Sequence, residues 1–129
     1  MKANKAKSKS GFERYEYILA GIKNSKPLTI KQIRTIFLIL LDDYFSNEIE
    51  EYFLESVASD LCFNFSKSPN HILTTDKELG TALVVASDIT YYLERAKKDT
   101  ECKKTLRLNS KILKDYYNKN KLNLKTDNQ

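Results

Sequence analysis

The sequence predicts an all-α fold, a four- to five-helix up-down bundle, and three observations carry that expectation. Only three glycines and two prolines occur in 129 residues, which leaves little material for tight hairpin turns. Hydrophobic residues make up 41% of the chain, and they recur at helical spacing rather than alternating. Short polar breaks carrying helix-capping residues separate the apolar segments. A chain of this length reads as one domain, burying roughly two-thirds of its unfolded surface.

Phe12, Tyr15, Leu19 and Ile22 share one helical face, with Ile18 beside them, and predict a helix ending near Asn24. In LTIKQIRTIFLILLDDYF, Thr29 and Gln32 stand at capping-box positions. Ile30, Ile33, Phe37, Leu40, Leu41 and Tyr44 then give a wide apolar face. Ile36, Leu38 and Ile39 spread apolar surface around the rest, which marks this as the central helix. Ser46 and Asn47 break it. Asn47 with Glu50 repeats the capping-box pattern, so a further helix with Ile49, Phe53, Val57 and Leu61 on one stripe is expected to fold back as a hairpin.

NFSKSPNHILTTDK reads as a loop. Thr75, with Glu78 three residues on, opens another predicted helix whose Leu79, Leu83, Ala86, Ile89 and Leu93 lie in register. Gly80 costs roughly 1 kcal/mol relative to Ala inside a helix, and suggests a close contact between helices. Cys102, Leu106, Leu113 and Tyr116 form the face of a last helix, with Tyr117 adjacent; Thr100 caps it, or it continues the preceding helix. The expected organisation is a basic N-terminal arm over 1–10, a helical bundle over 11–118 and a basic, frayed C-terminal tail over 119–129.

The formal net charge of +5 conceals a division. Residues 1–9 hold Lys2, Lys5, Lys7 and Lys9 and no acid. Residues 97–129 hold ten basic residues against four acidic ones. Residues 10–96 hold eight basic residues against thirteen acidic ones. The ends are basic and the middle is acidic.

Several classes of chemistry lack their residues. His71 is the single histidine, which rules out the usual His-rich metal centres and leaves nucleophilic triads without support. There is no P-loop, G-x-G-x-x-G or HExxH. An all-carboxylate magnesium site through Asp42, Asp43 or Glu48 is the one metal reading left. Neither an enzyme nor a cofactor is expected. Cys62 and Cys102 are far apart, and reduced structural thiols are favoured over a disulfide. The start lacks an apolar secretory core, and the longest apolar run, Ile36 to Leu41, is far below the ~20 residues of a membrane span. A cytoplasmic location without membrane association is expected.

The densest charge cluster is LDDYFSNEIEEYFLE, residues 41–55, with six carboxylates. Acids in the first turn of a helix complement its dipole, which accounts for Glu48, Glu50 and Glu51 if that helix begins at Asn47. Asp42 and Asp43 fall at the end of the preceding helix, where negative charge costs about 0.3–1 kcal/mol each. A solvated helix face is the plain reading of the cluster. A surface for a cationic partner is the functional one. The candidate partner-binding residues are Asp42, Asp43, Tyr44, Glu48, Glu50, Glu51, Tyr52 and Glu55, with core packing the competing role for Phe45.

The segment from LTIKQIRTIFLILLDDYFSNEIEEYFLESVASDLCF through TTDKELGTALVVASDI, residues 28–96, resembles the helical immunity proteins of the colicin D type. Those proteins guard bacteria against their own nuclease toxins, both bacteriocins and contact-dependent growth inhibition toxins. The resemblance implies a helical bundle that blocks the basic active site of a cognate tRNase-type toxin domain with acidic residues. On this chain Asp42, Asp43, Glu48, Glu50 and Glu51 would supply them, with Tyr44, Phe45 and Tyr52 as aromatic anchors. Two other readings stand beside it. One is a nucleic-acid-associated protein using the lysines of its two ends. The other is an oligomerisation module using Ile36, Leu38 and Ile39, so that monomer or dimer stays open.

Overall fold

The computed structural model describes residues 27–127, so the helix expected around Phe12 to Ile22 and the arm over 1–10 lie outside the described residues. Among the described residues the fold is all-α: α1 (Ile30–Phe45), α2 (Glu51–Phe63), α3 (Pro69–Thr75), α4 (Lys77–Ser87), α5 (Ile89–Arg95) and α6 (Thr100–Asp127). None of these helices is long and apolar enough to cross a membrane.

α1 starts as its sequence dictates. The Thr29 hydroxyl accepts from Gln32 N at 3.1 Å, and the Gln32 side chain accepts from Thr29 N at 2.9 Å. It is the central helix: Ile33, Phe37, Leu40 and Leu41 are fully buried, and so are Leu38 and nearly all of Ile36. The apolar surplus considered for an oligomer interface therefore lies largely inside the chain's own core. Leu28 N donates to Phe65 O and Tyr44 OH donates to Glu51, so opposite ends of α1 and α2 lie together.

The break between them differs from expectation. Asn47 does not cap α2. It ends α1 in the left-handed region, φ 62°, which asparagine tolerates better than other side chains. Asn47 N donates to Tyr44 O and Glu48 N to Asp43 O, a Schellman arrangement that satisfies the last carbonyls of α1. α2 begins later, with Glu50 as an N-cap that makes no side-chain cap bond.

The expected loop contains α3. The Ser68 hydroxyl accepts from His71 N, and Pro69 occupies the first turn. Thr75 is the last residue of α3, and Asp76 caps α4 by accepting from Leu79 N. The single helix expected from the Thr75 cap through ELGTALVVASDITYYLERAKK is divided at Asp88 into α4 and α5. Gly80 is the close contact between α3 and α4: a Cβ there would lie 2.6 Å from Leu73 Cδ2 and 3.0 Å from Leu73 Cα. Asp99, rather than Thr100, caps α6 through Glu101 N and Cys102 N. α6 continues past residue 118 to Asp127, where the sequence suggests fraying, and packs against α1, α4 and α5. Cys62 is buried, Cys102 is partly exposed, and both thiols are free. Burial pushes the Cys62 thiol up to about 11.

Candidate functional site

The eight predicted partner-binding residues divide into two groups. Asp42, near the end of α1, accepts a hydrogen bond from the Tyr117 hydroxyl of α6. That bond and burial push the Tyr117 phenol up to about 12. Asp43 is buried at 4% exposure and has interactions within the chain. Glu55, on α2, accepts from both the backbone N and the hydroxyl of Thr90. Thr90 is the second residue of α5, and Asp88, the N-cap by position, makes no side-chain bond. Glu55 thus caps α5 from a neighbouring helix. All three acids are thus engaged within the chain, Asp43 buried and Asp42 and Glu55 part-buried. The C-terminal position of Asp42 follows from its tyrosine partner.

Of the other five, Glu50 and Tyr52 are the exposed ones, while Tyr44, Glu48 and Glu51 are part-buried, as Asp42 and Glu55 are. With the helix starting at Glu51 and Glu50 at its N-cap, the dipole still favours both carboxylates and leaves only Glu48 unaccounted for. Tyr44 OH donates to Glu51 Oε2 at 3.1 Å; burial and the nearby Glu51 charge push the Tyr44 phenol up to about 12. Tyr52 is 64% exposed, and its hydroxyl donates to Glu94 Oε1 of α5 at 2.9 Å, which holds its phenol above the usual tyrosine range.

A cleft of about 360 Å³ opens beside the α1–α2 turn. Tyr44 and Phe45 give it an aromatic wall, Ile49, Ile89 and Leu113 give it apolar lining, and Glu50 and Glu51 supply carboxylates. Ser110 of α6 completes the lining. Phe45 is half-buried and packs its ring against both Tyr44 and Tyr117, each at 5.3 Å between centroids, while Lys114 Nζ lies 5.8 Å from its centroid. Phe45 therefore combines core packing with a place in the wall.

Sequence reasoning found the turn but missed Ile89, Ser110, Leu113 and Glu94, which arrive from distant segments and carry no local signal. Chemically, the cleft offers apolar contact, ring faces and carboxylate acceptors, the groups that receive a long cationic side chain. Among the described residues no three His, Cys, Asp or Glu side chains converge on a metal-binding position. Neither family models, curated proteins nor solved structures give a match to this chain.

Proposed function

We propose that this chain is a non-catalytic inhibitor of the immunity type, an up-down helical bundle that holds a basic nuclease toxin domain in the cytoplasm. The observation that carries the reading is the cleft beside the α1–α2 turn. An arginine or lysine from the partner would lay its aliphatic stem on Ile49, Ile89 and Leu113 and bring its charge to Glu50 and Glu51. Tyr44 and Phe45 would face the cation with their rings. Exposed Tyr52, tethered to Glu94, suits an anchor at the edge of such an interface.

The physics of the partner fits. A nuclease active site is positively charged because it must hold phosphates, and a carboxylate-bearing surface competes for the same place. The resemblance to colicin D-type immunity proteins supports the same reading. In this form it relies on Glu48, Glu50 and Glu51 with Tyr44 and Tyr52, and no longer on Asp42, Asp43 or Glu55. Co-purification tests it. A basic tRNase-type toxin domain found to be encoded beside this chain is expected to elute with it as a stable complex, and independent elution of the two proteins at low salt would refute the reading.

A further inference from the structure

The side of α6 turned away from the core is a continuous basic face. Leu113 and Tyr116 are buried on its inner side. Lys103, Lys104, Arg107, Lys111, Lys114 and Lys121 are all exposed, and steps of three, four or seven residues put them on one side of the helix. At 1.5 Å per residue the row is about 27 Å long, with a cation every ~5 Å over its first two-thirds.

Among the described residues, little neutralises it. Lys104 lies 3.7 Å from Glu101, an exposed pair in which both side chains are mostly solvated. Among the described residues no carboxylate reaches ion-pair distance of Lys103, Arg107 or Lys111. Lys119 pairs with Glu78 at 2.8 Å on another edge, whereas Asp115, exposed four residues after Lys111, stands on the side of the row without reaching ion-pair distance of its cations.

We propose that this face binds the phosphate backbone of a nucleic-acid duplex, independently of sequence. A straight row of like charges matches a straight row of phosphates, and each contact releases a condensed counterion. The face offers no exposed aromatic ring for stacking, which single-strand binding uses. Its one arginine, Arg107, gives no array for reading base edges. A membrane surface fits less well, because an interfacial helix needs an apolar face to insert. The apolar face of α6 is already packed in the core, and among the described residues only Leu108 and Leu122 stand exposed beside the cations. This proposal does not rest on the role of the cleft, whose edge the row meets where Lys114 lies over the Phe45 ring.

The test is fluorescence anisotropy of the full chain with a labelled DNA or RNA duplex of arbitrary sequence, across a salt series. With four to six phosphate contacts, the logarithm of affinity for DNA should fall against the logarithm of salt with a slope of roughly −4 to −5. Lys103→Glu, Arg107→Glu and Lys111→Glu together should lower affinity at least ~100-fold and flatten the slope by roughly 3, with the helical circular-dichroism signal unchanged. Lys119→Ala, off the face, should leave affinity unchanged. Duplex binding that survives the triple reversal, including binding carried by Lys2 to Lys9, would overturn the proposal. So would binding to vesicles of anionic lipid without binding to either duplex.

Discussion

The Tyr117 hydroxyl donates to Asp42 across 75 residues of sequence, fixing α6 to the last turn of α1. An acid near a helix C-terminus costs about 0.3–1 kcal/mol, whereas a hydrogen bond to a charged group contributes about 1.5–3 kcal/mol. The pairing outweighs the dipole. Tyr117→Phe and Asp42→Ala are each expected to lower unfolding free energy by about 1–2 kcal/mol. The double substitution should cost little more than either alone, as urea denaturation can measure. Fully additive costs would show that the two side chains do not act together.

Alkaline pH should loosen the same region. Tyr44 and Tyr117 both rise from 10.0 to about 12 in the folded chain, so folding favours their protonated forms. Their contribution is fully present below pH 10 and is lost as pH climbs from there through about 12. Circular dichroism at rising pH should show a falling unfolding temperature in that window. A variant with both residues changed to Phe, although less stable at neutral pH, should show a smaller fall.

Gly80→Ala sets helix propensity against packing. Propensity favours the alanine by roughly 1 kcal/mol. Its Cβ, however, would meet both the side chain and the backbone Cα of Leu73, so α3 would have to shift. Overpacking of this kind costs typically about 1–3 kcal/mol. The expected result is a net loss of stability in thermal melts, and a stabilised Gly80→Ala protein would contradict the α3–α4 contact.

Removing the Glu55 carboxylate should release the start of α5. Glu55→Ala is expected to cost about 1–2 kcal/mol, as loss of a helix cap does. Thr90→Val keeps the backbone bond to Glu55 and should cost less. Hydrogen exchange would place the lost protection in the first turn of α5. Glu50→Ala, at an exposed residue with no side-chain cap bond, should be close to neutral.

The helical class was legible because it rests on local pattern, and the Thr29–Gln32 capping box shows how far such pattern reaches. Asn47 shows where it stops. Asparagine suits both a helix N-cap and a left-handed helix end, and only the backbone decides between them. α3 carried its signals in Ser68 and Pro69, but seven residues are too few to establish a period. The division at Asp88 was invisible because Leu79 to Leu93 keep one register through it. For the candidate site, the acidic turn was plain. The engagement of Asp42 by Tyr117 and of Glu55 by Thr90 joins segments far apart in sequence, and local pattern cannot reveal it.

In the proposed reading the acidic turn is divided, with Asp42, Asp43 and Glu55 engaged within the chain and Glu48, Glu50 and Glu51 facing a cationic partner. Growth rescue tests it most directly: cells expressing a cognate basic nuclease toxin domain are supplied with the wild-type chain or with Glu48→Lys/Glu50→Lys. The account predicts that the double reversal abolishes rescue while its unfolding midpoint stays within about 0.5 kcal/mol of wild type. Full rescue by that variant would contradict it.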